Sequence, residues 1–321
     1  MTLQPRDVGH RVVVRYRLAV PVDGAHATDV LGRLVDWSGG RLSVRTKAGA
    51  VVDVPESDVL AAKVVPARTV TRRAVRDLES AAAAGWRATE TAWVGSWLLR
   101  AAGGFTGRAN SCLPLADPGM PIDVAIDLVE KWYRARNLVP AFQVPAPLGT
   151  TVEAALDRRR WPPPHEDVLV LTAELADVTA HTRDDLPPVE LAAEPDDRWL
   201  AAYHYRGTTP PPNAKSVLVN ADVRTFAAVV VDDRPVAIAR GAVSDSPAGR
   251  RWLGVTAVEV DPAMRRRGLA SHVMTGLVEW ARRHGATDGY LQVSDGNASA
   301  IAMYQRLGFT EHHRYRYRRL P

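Results

Sequence analysis

The 321-residue chain predicts an α+β fold: a mixed central sheet flanked by helices, in two tandem copies, with a small all-β barrel in front. Three observations carry this. Short β-rich runs crowd residues 6–66. A helix-then-strand pattern occurs around 128–144 and again around 277–293. A strand, a basic turn, a glycine and a helix follow one another at 258–284. The domains expected are 1–68, 69–186 and 187–321.

In the first domain, Arg11–Leu18, Val30–Asp36, Arg41–Thr46, Val51–Val54 and Leu60–Val65 read as strands. Trp37-Ser-Gly-Gly40 and Lys47-Ala-Gly49 are turn signals between them. Val12 and Val14 alternate with Val13 and Arg15, as in a half-exposed strand. Five short strands in so few residues suggest an SH3-like or similar barrel. Arg15, Arg17, Arg33, Arg41 and Arg45 are balanced by Asp7, Asp36, Asp53, Glu56 and Asp58. That balance favours a structural role, with a protein, nucleic-acid or homodimer contact left open.

Val65–Val75 reads as a linker into a helix at about Arg72–Gly85. Trp86, Trp93 and Trp97 read as core. The repeat follows: Leu128-Val-Glu130 matches Leu277-Val-Glu279, and Phe142-Gln-Val144 matches Leu291-Gln-Val293. Ala-Leu-Asp-Arg-Arg-Arg-Trp161 then lies over Met-Tyr-Gln-Arg-Leu-Gly-Phe309. The copies differ where chemistry is expected. Ala116-Asp-Pro-Gly-Met-Pro121 stands where the second copy has a basic loop, and Leu156 stands where it has Tyr304. The first copy is expected to be degenerate, keeping the fold and framing a cleft. Glu174–Pro188, with a polar run from His181 to Asp185, is the expected link between copies. A helix over Pro195–Arg206, a loop at Thr208–Pro212, and hairpin strands around Asp232-Asp-Arg-Pro235 come next. Strands at Val236–Val243 and Trp252–Val260 complete the approach to the basic loop.

Val258-Glu-Val-Asp-Pro-Ala-Met-Arg-Arg-Arg-Gly-Leu-Ala270 reads as a strand leaving a sheet, a basic turn and a helix start. A helix N-terminus offers unpaired N–H groups and the positive end of the helix dipole, which together attract anions. Arg265, Arg266 and Arg267 add charge, and Gly268 lets the backbone approach a ligand closely. The ligand expected is phosphorylated, a pyrophosphate above all. Leu269, Val273, Leu277 and Trp280 or Ala281 give the helix one buried face, and Gly285 stops it. A strand at Gly289–Val293, then Asn297, a helix through Tyr304, and Leu307-Gly-Phe309 follow. The loop lacks the Gly-Lys-Ser/Thr ending of a P-loop and the three glycines of a dinucleotide fingerprint.

Arg-x-x-Gly-x-Ala at 265–270, the strand before it, Asn297, Tyr304 and Leu307-Gly308-Phe309 together resemble the acetyl-CoA site of the GNAT N-acetyltransferases. The resemblance covers roughly residues 187–321. It implies a GNAT fold, acetyl-CoA as co-substrate, and direct acetyl transfer to a primary amine of a protein lysine or a small molecule. It implies that Val258 and Val260 and the loop Arg265, Arg266, Arg267, Gly268, Leu269, Ala270 and Ser271 hold the cofactor. It further implies that Asn297 contacts it and that Tyr304 protonates the departing thiolate. A barrel followed by a tandem GNAT region resembles an actinobacterial family of histone-acetyltransferase-like type, although no residue here points to a histone.

The attacking amine must be neutral, so a base must take its proton. Glu259 is the first candidate, on the strand face opposite Val258 and Val260; His204 is the second. An alternative of another class is a non-catalytic acetyl-CoA-sensing adaptor whose barrel binds a protein or nucleic acid, but a sensor has no use for Tyr304.

Composition sets bounds. Hydrophobic residues at 46% and charged ones at 24% are ordinary for a globular chain. The longest apolar runs, such as Phe226–Val231, are too short to span a bilayer, and the first residues lack a signal-peptide pattern. Cys112 is the single cysteine and reads as buried, which suits a reducing cytoplasm. The net charge of +5 gathers in the basic loop and the Arg314–Arg319 run, too scattered elsewhere for a nucleic-acid surface. No metal-ligand spacing is present; the adjacent His312 and His313, on a strand, are expected to face opposite ways.

Overall fold

The computed structural model describes residues 3–22, 24–46, 50–65, 70–178, 183–205 and 207–321. The Lys47-Ala48-Gly49 turn, the centre of the 65–75 linker, His181 and Arg206 lie outside the described residues. Two compact units divide between residues 69 and 70.

The first unit is a five-stranded antiparallel sheet. Its strands are β1 (Arg11–Val22), β2 (Ala25–Ser38), β3 (Arg41–Thr46), β4 (Val51–Pro55) and β5 (Val59–Val64), in the order β4-β3-β2-β1-β5. Alternation decides the core: Val12, Val14, Val30, Leu34, Leu42, Val44 and Val54 are buried while their neighbours face outward. Register shifts within β1 and β2 bend the sheet.

The second unit opens with α1 (Arg72–Gly85), which Thr71 caps by accepting from Ala74 N at 3.2 Å. The first copy continues with β6 (Glu90–Val94), β7 (Trp97–Ala101), β8 (Leu113–Pro114), α2 (Ile122–Arg134), β9 (Ala141–Pro145), α3 (Thr150–Arg158) and β10 (Asp167–Glu174). The second has β11 (Val189–Ala192), α4 (Asp197–Ala202), α5 (Ala214–Leu218), β12 (Val223–Val231), β13 (Arg234–Asp245) and β14 (Arg251–Val260). It ends with α6 (Leu269–Arg283), β15 (Asp288–Ser294), α7 (Ala298–Arg306) and β16 (Thr310–Arg319).

The repeat is present in the backbone. α2-β9-α3 and α6-β15-α7 share one order, and α3 and α7 end alike. Trp161 N donates to Leu156 O, and Phe309 N to Tyr304 O, both at 3.0 Å. Before each aromatic stands a left-handed residue, Arg160 at φ 59° and Gly308 at φ 102°. The parallel β14–β15 pairing has a counterpart in a parallel bridge between Cys112 and Phe142.

The copies exchange their closing strands. The eight-stranded sheet runs β11-β12-β13-β14-β15-β10-β16-β9. β10, from the first copy, pairs antiparallel with β15 of the second from Val168/Ser294 to Glu174/Asp288. β16, from the second copy, pairs with β9 of the first. A line drawn at 186/187 therefore crosses one sheet, and residues 70–321 form a single compact unit.

Three local expectations change. The helix sought over 195–206 is only Asp197–Ala202. Asp196 caps its start, accepting from Trp199 N at 2.8 Å, and Tyr203 turns extended (ψ 123°) to bury its ring against Trp199 and Phe226. His204 thus lies beyond the helix. Trp86 and Trp97 are core, but Trp93 is 59% exposed, on the outer side of a short edge strand. His312 and His313 do not face apart: the ladder with β10 slips at this point, and the two Nδ1 atoms lie 2.8 Å apart. Within the C-terminal arginine run, Arg318 is buried, donating to Glu153 at 2.8 Å and Asp157 at 2.7 Å on α3. Cys112 is fully buried and its thiol is pushed up by desolvation.

Candidate functional site

The site begins with a fork in the sheet. β14 and β15 pair in parallel only from Trp252/Asp288 to Val255/Leu291. Beyond that, β14 stays on β13 to Val260, while β15 stays on β10 to Ser294. Among the described residues the facing edge of 256–260 has no ladder partner, and its backbone groups are left to bond elsewhere, as Val260 O does with Arg265 Nε at 3.4 Å. A bulge helps part the strands: Ala257 and Val258 together oppose the single Ala239, and Ala257 sits at φ 54°. Thr256 Oγ1, at the throat of the fork, is buried with no partner among the described residues.

On one face of the fork lies α6. Val258 and Val260 pack into the core that holds Leu269, Val273, Leu277 and Tyr304. The basic loop is exposed and precedes α6 directly. Gly268 stands at the N-cap at φ 83°, with no side-chain cap over the amides of Leu269, Ala270 and Ser271. The atom nearest to where a Cβ would stand is Arg183 Nη1, at 3.1 Å. Arg265, Arg266 and Arg267 have no carboxylate within ion-pair reach among the described residues. Arg265 Nε reaches Val260 O at 3.4 Å, and the uncapped amides, three guanidiniums without a carboxylate partner among the described residues and a residue without a side chain make a cradle that suits a pyrophosphate.

Tyr304 sits on α7, buried against Phe309, with ring centroids 6.3 Å apart. Its hydroxyl has no hydrogen-bond partner among the described residues, and burial alone pushes its pKa up to about 12. It is therefore protonated at neutral pH. Asn297 caps α7, its Oδ1 accepting from Ala300 N at 3.2 Å. Its exposed amide NH₂ is left for another partner.

Glu259 lies on the opposite face, as strand alternation requires. Its Oε1 accepts from His204 N at 2.7 Å, and Oε2 lies 3.4 Å from His204 Nδ1. Burial raises the carboxyl above its usual range, against the opposing pull of His204 and Arg265. The two candidate bases are thus brought together. Ala257 on the bulge packs among Trp86, Phe105, Tyr203 and Tyr205. The wall on this side comes partly from the first copy, through a loop between β7 and β8 that the sequence did not single out.

The first copy has no equivalent cradle. There Asp117 Oδ1 already accepts from Gly119 N at 2.8 Å, and Leu156 fills the place of Tyr304 with no polar atom. Among the described residues, no group of three or more His, Cys, Asp or Glu could hold a metal ion.

Comparison with known proteins identifies the family. A family model described as the C-terminal part of the probable histone acetyltransferase Rv0428c matches residues 73–318. A second, the Rv0428c N-terminal Sm-like domain, matches residues 6–63. Sm-like is thus the finer description of the small five-stranded barrel. The probable histone acetyltransferase Rv0428c of Mycobacterium tuberculosis is 34% identical over 311 residues, covering 97% of this chain and 94% of its own. The uncharacterised N-acetyltransferase YobR of Bacillus subtilis is 28% identical over 254 residues, 76% of this chain and 99% of its own. A GCN5-related N-acetyltransferase from Kribbella flavida shares the fold at a TM-score of 0.57 and 17% identity, covering 79% of this chain and 97% of its own. The chain belongs to the Rv0428c family of N-acetyltransferases, with a tandem GNAT fold behind an Sm-like domain.

Proposed function

We propose that the protein transfers an acetyl group from acetyl-CoA to a primary amine, in a ternary complex with both. The observation that supports this best is the fork between β14 and β15 opening beside the uncapped start of α6. Acetyl-CoA, when bound, supplies an acyl thioester. The free edge at Val258 and Val260 offers backbone groups to the pantetheine arm. Arg265, Arg266, Arg267, Gly268 and the amides of Leu269, Ala270 and Ser271 hold the pyrophosphate, and the NH₂ of Asn297 adds a donor. Glu259, its carboxyl raised by burial, takes the proton of the attacking amine, with His204 beside it. Tyr304 gives its proton to the thiolate as the carbon–sulfur bond breaks and the carbon–nitrogen bond forms. We place this chemistry in the second copy and read 69–186 as its degenerate partner. A cytoplasmic setting suits the lone reduced cysteine and the co-substrate.

The test is calorimetric titration of the full chain with acetyl-CoA, CoA and NAD, followed by an acceptor screen read as thiol release. Binding of the two CoA species but not NAD, and acceptor-dependent thiol release, is the expected result. Absence of CoA binding would remove the loop assignment. Binding without turnover of any acceptor would favour the sensing adaptor.

A further inference from the structure

The loop between β7 and β8 reaches from the first copy into the fork of the second. Asn110 fixes its shape: Oδ1 accepts from Ala102 N (2.8 Å) and Gly104 N (2.9 Å), and Nδ2 donates to Phe105 O (2.7 Å) and Thr106 O (2.9 Å). This loop carries Arg108. Its guanidinium lies over the Trp86 ring, 4.8 Å from the centroid, and its Nη1 donates to Gln292 Oε1. Gln292 follows Leu291, the last residue of β15 that pairs with β14, so Arg108 stands at the throat of the fork. Leu291 and Val293 pack on the α6 side, which puts Gln292 on the other face, with Glu259. Tyr203 feels the charges of both Arg108 and Glu259.

At this point the surroundings of the equivalent glutamines Gln143 and Gln292 differ. In the first, Gln143 Oε1 accepts from Arg100 at 2.9 Å, and Gln143 Nε2 donates to Glu79 Oε2 at 2.8 Å. In the second, Gln292 Oε1 accepts from Arg108, but Gln292 Nε2 is buried with no partner among the described residues. Each glutamine oxygen meets an arginine of the first copy, Arg100 on β7 or Arg108 on the loop after it, but among the described residues only Gln143 also meets a carboxylate. Arg108 makes no ion pair among the described residues. Arg240, near enough to be affected by its charge, is fully buried; among the described residues its guanidinium donates to the carbonyls of Leu218 and Gly85 and lies over the Trp86 ring at 4.9 Å. Glu79 is committed to His313 and Gln143. Two guanidiniums, both over the Trp86 ring, thus share one largely buried region with no carboxylate paired to either among the described residues, an arrangement that an anion relieves.

We propose that Arg108 and the Nε2 of Gln292 bind a carboxylate of the acceptor, taking the place that Glu79 fills in the first copy, so that the acceptor is a small amine of the amino-acid class. An internal lysine of a protein brings no such carboxylate to this point. The inference rests on the transferase reading, and the test separates the two.

CoA is titrated first; no binding removes the transferase reading and this inference with it. With CoA saturating, each standard L-amino acid and its carboxamide are then titrated by calorimetry into the wild type and into Arg108→Met. Expected is an amino acid bound more tightly than its amide by roughly 10- to 150-fold, the range for a hydrogen-bonded charge, with the preference gone in Arg108→Met. CoA affinity and melting temperature should match the wild type. Should Arg108→Met fail to fold, Arg108→Lys is expected to weaken amino-acid binding about tenfold, without the bidentate fork, and to leave the amide unaffected. Equal affinity for acid and amide, a preference that survives loss of Arg108, or no amino acid bound by a chain that binds CoA would each overturn the proposal.

Discussion

Replacing Tyr304 with Phe separates chemistry from folding unusually cleanly. The ring stays in place against Phe309, and the hydroxyl removed has no partner among the described residues. The first copy is itself a control, because Leu156 holds the equivalent place, fully buried and without a hydroxyl. The fold does not need that oxygen, and losing a buried hydroxyl without a partner should leave stability unchanged or raise it by about 1 kcal/mol. If the hydroxyl delivers a proton to the departing thiolate, turnover should fall roughly 100-fold, about 2.7 kcal/mol of barrier. A thiolate leaves readily, which sets the effect at the low end of the general-acid range. The assay is thiol release at saturating acetyl-CoA, paired with calorimetry and a thermal melt on the same preparation. Unchanged turnover would take Tyr304 out of the mechanism. A loss of turnover matched by an equal loss of CoA affinity would make it a binding residue instead.

Gly268→Val should abolish measurable CoA binding in calorimetry while circular dichroism stays native, because the left-handed φ of 83° costs a β-branched residue about 1–3 kcal/mol and the side chain would crowd the cradle; wild-type affinity would sink the loop assignment. Glu259 acts as a base only when ionised, so kcat/KM should rise with pH through its raised pKa, and Glu259→Gln should flatten that limb and lower turnover roughly 100-fold. A limb that survives in Glu259→Gln belongs to another group. Burial, with the charges of His313 and Arg250, holds His312 down at about 4. That is below its unfolded value, so stability is fully present above about pH 6.5 and is lost as pH falls toward 4. The shift is worth at most about 3 kcal/mol, and partial exposure screens it to about 1–2. His312→Asn should flatten the acid limb of melting temperature against pH, and an unchanged slope would exclude this ring as its source.

The parts legible in the sequence are those whose signal is local. Gly268, the three arginines and the apolar stripe from Leu269 to Trp280 define the loop and α6 without help from the rest of the chain. The helix expected at about Arg72–Gly85 is α1. The repeat was readable because Glu130/Gln143 and Glu279/Gln292 keep one spacing. What escaped depends on distant partners. Arg108 matters because a loop held by Asn110 carries it to Gln292, and the sequence around it, Gly103-Gly-Phe-Thr-Gly-Arg-Ala-Asn-Ser111, has no periodic pattern to place it. The exchange of β10 and β16 leaves no trace in either strand, since an alternating strand reads the same beside any neighbour. The His312–His313 contact needed one slipped residue in a ladder, and Tyr203 left its helix for a core visible only in three dimensions.

The exchanged strands impose an order on biosynthesis. β9 and β10 flank β16, so the sheet of the first half stays open until the ribosome has made residues 310–319. Until then β9 has a bare edge where β16 will sit, the kind of edge that pairs with other chains. Pairings this distant in sequence form slowly. Two nascent copies meeting in that interval could complete each other's sheets, giving an interlocked dimer with the same contacts as the monomer. The fraction of such dimers should therefore rise with expression rate.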